Sequence, residues 1–272
     1  MKKFVFAIIF FVIALFLYGK YIEVNNFKIR NYTIINESVP TSFKDLKIVH
    51  FSDILYESGT KEKILDDLVT NINNESPDII IFSGDLFKNN ENYTDDDYNN
   101  LKNSLSKMEA TLYKYAVIGD NDKSNLDKYR DILYESDFNL LDNENMLLFY
   151  KDVTPINIIG LTNTENISNL LETDVQYEYS LVITHEPDLI TNLVNYDIDT
   201  LLCGHSLGGI INMPFYGGII KKEGAKTYVN DYYKLNNTEI FISNGIGYEG
   251  FNFRLFNTPS INVYRILTKK ES

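Results

Sequence analysis

Ile79-Ile80-Ile81-Phe82-Ser83-Gly84-Asp85 is the stretch on which the fold turns. An apolar run that stops at once in Ser-Gly-Asp is the mark of a strand covered on both faces, since a parallel sheet between packed layers has no wet side. The same texture lies on either side of it. Ile48 to Ser52 runs into Asp53, and Tyr115 to Ile118 runs into Gly119-Asp120-Asn121-Asp122. Between the first two runs, Lys61 to Asn73 carries Ile64, Leu65, Leu68 and Ile72 at helical spacing. Strand, helix and strand in this order predict βαβ units and an α/β fold.

The alternation continues outward. Thr94 is placed to cap a helix, with Asp95, Asp96 and Asp97 in its first turn against the helix dipole. Those acids lack the glycine and terminal glutamate of a calcium loop, so capping is the expected role. A helix is predicted from about Leu126 to Glu135, and strands near Met146 to Tyr150, Ile156 to Leu161, Leu181 to Thr184 and Thr200 to Cys203. Pro187 suits the first turn of a helix running to about Asn195. After Gly204 the sequence becomes glycine-punctuated β structure, including Glu239 to Ser243 and Ile261 to Leu267. No interdomain linker interrupts it, and Val24 to Phe43 reads as a short β lead-in.

Composition sets the limits. The chain has 272 residues, 44% of them hydrophobic and 14% aromatic, which predicts a packed core and excludes the disordered class. A formal charge of −13 repels phosphate backbones, so nucleic acid is not expected as a partner. One cysteine, Cys203, excludes an intrachain disulfide and a thiolate cluster, and reads as a small core residue. At the N-terminus Lys2 and Lys3 precede an apolar run from Phe4 to Tyr18, closed by Gly19 and Lys20. The run has the shape of a membrane anchor or a signal segment. Bulky Leu15, Phe16, Leu17 and Tyr18 stand where a small-residue cleavage site belongs, which favours an uncleaved single-pass anchor. The lysines predict a cytoplasmic N-terminus and an extracytoplasmic remainder at the cell membrane.

Ligands of open α/β sheets gather at the carboxyl ends of strands, where loops converge. Here those ends carry Ser52-Asp53-Ile54-Leu55, Ser83-Gly84-Asp85, Gly119-Asp120-Asn121-Asp122, Thr184-His185-Glu186-Pro187 and Cys203-Gly204-His205-Ser206-Leu207. A lone Asp after a strand is usually a turn residue. Acids and imidazoles at every stop are a different matter, because carboxylate and neutral imidazole together suit Zn, Mn or Fe. The remaining histidine, His50, sits inside a strand, and a structural, hydrogen-bonded role is expected for it. Gly208 and Gly209 permit either close backbone approach to the site or a tight turn.

The ordered series Asp53, Gly84-Asp85, Gly119-Asp120-Asn121-Asp122, His185 and Gly204-His205 resembles the calcineurin-like metallophosphoesterases, and within them the YkuE-like, membrane-anchored bacterial branch. Gly208-Gly209, Pro214, Ser243-Asn244-Gly245-Ile246-Gly247, Arg254 and Pro259 resemble the tail of that branch. The resemblance implies a four-layer α/β/β/α sandwich over residues 46–272, preceded by a lead-in at 21–45 and a transmembrane or signal segment at 1–20. It also implies metal-dependent phosphoester hydrolysis at two metals bridged by one aspartate. Carried over residue by residue, Asp53 matches a ligand of the first metal and Asp85 the bridge, with Asp120, His185 and His205 completing the second metal's set. The first metal's two imidazole positions hold Leu55 and Leu207 here, and Tyr56 or Glu57 is the available substitute for Leu55. Asn121 stands where the family has its catalytic His, and an amide cannot act as an imidazolium acid. Loss confined to one metal site predicts a single retained divalent ion, Mn, Zn or Fe, with a weak second one as the alternative. Reduced hydrolysis of a phosphorylated small molecule or lipid is the expected activity. A pseudoenzyme that binds a ligand or partner at the membrane is the rival expectation.

Overall fold

Lys47–Phe51 forms a strand whose alternate side chains feed two different cores. Ile48 joins an apolar cluster with Ile79, Ile81, Ile158 and Ile183, whereas Val49 and Phe51 join another with Leu65, Leu68, Ile80 and Phe82. A strand with apolar residues on both faces needs a layer on each side, and the computed structural model, which describes residues 2–58, 62–89, 92–165 and 167–269, supplies both. In chain order its elements are α1 (Lys2–Tyr21), β1 (Lys28–Asn36), β2 (Lys47–Phe51), α2 (Glu62–Asn74), β3 (Ile79–Phe82), α3 (Asp95–Ser106), β4 (Tyr113–Ala116), α4 (Leu126–Glu135) and β5 (Phe138–Leu140). Then follow β6 (Glu144–Leu148), β7 (Ile156–Leu161), α5 (Ile167–Leu171), β8 (Tyr179–Thr184), α6 (Ile190–Leu193), β9 (Thr200–Cys203), β10 (Asn212–Met213), β11 (Gly217–Gly218), β12 (Tyr232–Leu235), β13 (Thr238–Ile242) and β14 (Ser260–Thr268).

Two six-stranded sheets stack face to face, in the orders β1-β14-β2-β3-β4-β5 and β12-β13-β9-β8-β7-β6. Side chains from their facing surfaces, among them Tyr115, Val117, Tyr179, Leu181 and Leu202, make the middle core. Helices α2, α3 and α4 cover the outside of the first sheet through Leu68, Leu101, Leu105, Ile132 and Leu133. Ile167, Ile190 and Leu193 cover the second through Val182, Leu201 and Cys203. The result is the expected four-layer α/β/β/α sandwich. The ladders β2-β3-β4-β5 and β7-β8-β9-β13 are parallel. Their carboxyl ends therefore carry the loops of interest.

Local readings hold with small shifts. Thr94 caps α3 in a capping box with Asp97, as its hydroxyl predicted. Lys61, the predicted start of the second helix, lies outside the described residues. The strand expected at Tyr115 begins at Tyr113, because Lys114 can sit within it: its stem is buried and its ammonium donates to the Met108 carbonyl beside the Phe138 ring. Pro187 opens a 3-10 turn and the following helix ends at Leu193, two residues short of Asn195. Residues 28–36 pair along the whole length of β14 in parallel, so the β lead-in becomes an edge strand of the first sheet. Helix α1 is long and apolar enough to cross a membrane. Its apolar side chains are exposed along most of its length, and its last turns touch the sandwich where Phe16 stacks on Phe251 and Phe253.

Candidate metal centre

Asp53, Asp85, Asp120, His185 and His205 all follow the carboxyl ends of parallel strands, and the chain bends sharply at several of them. Asp53, Asp85 and His205 have positive φ, at 51°, 62° and 65°, as do Leu55 at 48° and Leu207 at 47°. Left-handed backbone at a non-glycine residue costs about 1–2 kcal/mol and persists only where neighbours over-determine it. The neighbours here are short-range and specific. Leu55 N donates to the Asp85 carbonyl and Asp53 N to that of Gly84, tying the first two loops together. A Cβ on Gly84 would lie 2.6 Å from Gly119 N, and one on Gly204 would lie 2.9 Å from Asp53 Oδ2, so both positions require glycine for this convergence. Gly208 and Gly209 serve a tight turn instead, approaching Asn257 and Gly218.

The loops deliver three ligand atoms to one point. Asp85, His185 and His205 are buried, and each offers an atom within 4.8 Å of the other two. His185 Nδ1 lies 2.7 Å from the Ser83 carbonyl and His205 Nε2 lies 2.6 Å from the Glu223 carbonyl. A carbonyl only accepts, so both of those ring nitrogens carry hydrogens, and the lone pairs belong to His185 Nε2 and His205 Nδ1. Those two nitrogens face each other at 3.0 Å, with Asp85 Oδ2 3.2 Å from His185 Nε2. Two lone pairs and a carboxylate oxygen cannot share that space without a positive charge between them. In the absence of a cation a proton fills it. Burial works against charging His185, but Asp85, then Asp53 and the Ser83 carbonyl, outweigh it and push the imidazole up to about 10. His205 moves the other way, lowered by burial and by the charge on His185. The donor set of one carboxylate and two tautomer-fixed imidazoles fits a divalent cation.

The other predicted residues sit around this group. Asp120 Oδ2 is 3.8 Å from His205 Nδ1 and is held by Lys123 at 2.8 Å, at the rim. Asp53 is fully buried, with Oδ2 accepting from His205 N at 2.9 Å and from the Ser52 hydroxyl, while Oδ1 has no hydrogen-bond partner among the described residues. Asn121 occupies both oxygens of Asp85, donating its backbone N at 2.9 Å and its side-chain Nδ2 at 2.7 Å. It therefore positions the carboxylate. Leu55 and Leu207 are buried and offer no ligand atom, so the other metal position does not fit a cation in the same way. The Tyr56 hydroxyl donates to Asp97, and the Tyr248 hydroxyl donates to Glu57 Oε2.

His50 is the structural histidine expected, fully buried between Ser83 and Tyr264 and pushed down to about 3 by burial. Cys203 is a core residue. Sequence reasoning quoted Asp122 without giving it work. Its carboxylate accepts from the backbone N of Gly119, Asp85, Leu86 and Phe87, and burial followed by the charge of Asp85 pushes it up to about 7. Its place at the end of the Gly119-Asp120-Asn121-Asp122 run was the signal. Ser83 and Glu223 act through carbonyls, which no side-chain pattern reveals.

The family model for calcineurin-like phosphoesterases matches residues 46–209, the stretch that carries Asp53, Asp85, Asp120, Asn121, His185 and His205. The uncharacterized metallophosphoesterase YkuE of Bacillus subtilis is 27% identical over 261 residues, covering 92% of this chain and 88% of that protein. The uncharacterized metallophosphoesterase Cj0846 of Campylobacter jejuni is also 27% identical, covering 98% of this chain and 71% of its own length. The UDP-2,3-diacylglucosamine pyrophosphatase LpxG of Chlamydia muridarum is 23% identical, with 96% of this chain and 95% of that protein covered. A match over more than half of the chain, on the strand ends that hold the acids and imidazoles, means that this protein belongs to the calcineurin-like phosphoesterases.

Proposed function

We propose that this chain is a membrane-anchored phosphoester hydrolase working with one divalent cation, Mn, Zn or Fe, at Asp85, His185, His205 and Asp120. The observation that carries it is the pair of imidazole lone pairs facing each other at 3.0 Å beside the Asp85 carboxylate. A cation bound there supplies a Lewis acid that polarises a phosphoryl oxygen. The chain does the rest. The Ser83 and Glu223 carbonyls hold the two rings in the coordinating tautomer, and Asn121 donates to both oxygens of the Asp85 carboxylate and so fixes its place. Asp53 adds negative charge behind His205. With Asn121 unable to protonate a leaving oxygen, turnover falls short of a two-metal relative by about 10²–10⁴-fold, the usual loss of an acid–base partner.

The N-terminal helix is proposed as an uncleaved anchor at residues 1–20, with residues 46–272 and the β1 edge strand of the 21–45 lead-in as the extracytoplasmic catalytic domain. A cavity of about 740 Å³ supports a phosphorylated lipid as the substrate class. It is lined by Lys20 and Tyr21 at the end of α1 and by Ile54, Leu55 and Ile246, so it runs from the end of α1 to the loop that follows Asp53. LpxG, whose name gives it a diacylated sugar nucleotide as substrate, is compatible with that class. The pseudoenzyme reading draws on a separate observation: both oxygens of Asp85 are already engaged by Asn121.

Elemental analysis of the full chain purified in detergent is expected to find about one equivalent of Zn, Mn or Fe, and His185→Ala to lose it. Less than about a tenth of an equivalent, after growth in metal-supplemented medium, removes the metal site. Hydrolysis of a chromogenic phosphodiester separates the two readings. Metal-dependent turnover abolished in His185→Ala supports the enzyme, and a metal-loaded protein with no turnover supports the binding module.

A further inference from the structure

The chain leaves the metal group at His205, runs out through β10 and β11 as a hairpin, and returns at Glu223, whose carbonyl lies 2.6 Å from His205 Nε2. The outer part of that hairpin is apolar. Met213, Phe215, Tyr216, Ile219 and Ile220 are all exposed, Phe215 completely. The tip is a four-residue turn closed by Tyr216 N on the Met213 carbonyl, with Pro214 second and Phe215 third at a φ of 68°. Glycine or asparagine usually takes that third place. Here a phenyl ring takes it and stands clear of the sandwich. One exposed apolar side chain is ordinary, but five large ones within residues 213–220 mark a contact surface.

The base of the hairpin is tied to the segment that receives the end of α1. Ile211 bridges to Leu255, with Asn212 N donating to the Leu255 carbonyl and Leu255 N to that of Ile210. The same segment holds the helix. A Cβ on Gly19 would lie 2.5 Å from the Arg254 carbonyl oxygen, Phe16 stacks on Phe253, and the buried Glu23 carboxylate accepts from Phe256 N and Asn257 N. Because β14 runs antiparallel to β2, its start, with the start of β1 beside it, lies at the carboxyl end of β2. Helix α1 therefore leaves the domain at the end that carries the metal group. Among the described residues from 28 onward, the exposed phenylalanines are Phe149, Phe215, Phe251 and Phe256, and all but Phe149 belong to the hairpin or to residues 251–257. The charge changes there too. In a chain of net charge −13, residues 200–230 hold Lys221, Lys222 and Lys226 against one acid, Glu223, and Lys20 closes α1 with its ammonium 5.1 Å from the Phe251 ring centre.

We propose that the β10–β11 hairpin is a second membrane contact, its tip and Ile219–Ile220 entering the leaflet from which α1 emerges, with Lys221 and Lys226 at the lipid phosphates. The placement rests on the reading of α1 as an anchor. An apolar tip followed by lysines is the order in which a segment meets acyl chains and then headgroups. Residues 253–257 set the spacing between helix and hairpin, so a bilayer that takes the helix lies beside the hairpin as well. Two points of attachment remove the domain's freedom to swing on one tether. Since both ends of the hairpin are rooted at His205, the metal group is held at a fixed height over the headgroup layer, which selects a substrate whose phosphate lies in that layer.

The chain has no tryptophan, so one Phe→Trp substitution supplies the only indole. Full-length Phe215→Trp in phosphatidylethanolamine/phosphatidylglycerol vesicles is expected to emit at shorter wavelength than in water and to lose about half or more of its emission when the acyl chains are brominated. Phe149→Trp, exposed where β6 meets the amino end of β7 and so at the opposite end of the second sheet, is expected to keep its emission. Phe10→Trp reports on α1 in the same vesicles. Quenching of Phe10→Trp without Phe215→Trp leaves the anchor standing and overturns the hairpin contact. A blue shift at Phe215→Trp that brominated lipid does not quench means that a second copy of the chain covers the ring, and overturns it too. Equal quenching of Phe149→Trp would show a domain lying on the bilayer without preference, with the same consequence. Quenching of Phe215→Trp without Phe10→Trp sinks the anchor reading and keeps the hairpin as the membrane contact; with neither quenched, both fall.

Discussion

Asp85, His185 and His205 meet atom to atom, whereas Asp53, on the next strand of the same sheet, is flanked by Leu55 and Leu207, both apolar and buried. The two halves share their backbone. Leu55 and Leu207 keep the left-handed φ of 48° and 47° beside the 62° of Asp85 and the 65° of His205. Loop shape is thus set by what the loops bond to, such as Leu55 N on the Asp85 carbonyl and Asn257 Nδ2 on the Leu207 carbonyl. The chemistry is set separately, by the side chains placed on that shape. The same strained turns thus carry ligand atoms in one half and leucines in the other, and the strain alone is no sign of function.

The strongest way to break this comparison is to truncate one residue in each half. His185→Ala is expected to cut metal affinity by well over about a hundredfold, beyond the 10–100-fold typical of a supporting residue. Leu207→Ala, 1% exposed, is expected to cost about 2–5 kcal/mol of stability through the cavity it leaves, with the metal content unchanged. Denaturant unfolding and elemental analysis on the same samples read both. A loss of metal in Leu207→Ala would mean that the apolar half still shapes the coordinating half.

A second contrast is among the histidines. His185 is charged by its surroundings, while His50, enclosed between the sheets, is held neutral, its value lowered from 6.5 to about 3 by burial. A group depressed in the folded state adds stability that is complete above its unfolded value and is lost as pH falls through the folded one. The acid limb of unfolding between pH 6.5 and about 3 should accordingly carry a several-kcal/mol slope from His50, about 1.4 kcal/mol per pH unit. His50→Gln keeps hydrogen-bonding capacity toward Ser83 and Tyr264 without titrating, and is expected to flatten that limb. An unchanged limb would show that other carboxylates dominate acid unfolding.

Most of this was legible before any coordinates because the signals are local. Ile79 to Phe82 can only be a buried strand, Thr94 and Asp97 announce a helix start, and five strand ends in the right order announce the rim. What the residues do at the rim was legible to the extent that side chains do it, as with Asp85, His185 and His205. The Ser83 and Glu223 carbonyls were not, since nothing in a residue type tells where its backbone points or which loop will fold over a site from elsewhere in the chain. Asn121 was read as a lost acid, and its amide turns out to have a positive task on Asp85.

The capping box connects that local legibility to the apolar half of the site, and gives the smallest effect. Asp97 accepts from Thr94 N at 2.9 Å, and the same carboxylate also takes the Tyr56 hydroxyl at 3.0 Å and the Ser58 hydroxyl at 2.8 Å. One helix cap therefore holds the segment that follows Leu55. Thr94→Ala removes the hydroxyl that binds Asp97 N and is expected to cost about 1 kcal/mol, as for other N-caps. Because Tyr56 and Ser58 keep their acceptor, metal content should stay at the wild-type level, and faster amide exchange should be confined to the first turn of α3. Exchange that spreads to the Ile54–Tyr56 backbone would mean that the apolar half of the site is held by this cap, more than by its bonds to the Asp85 loop.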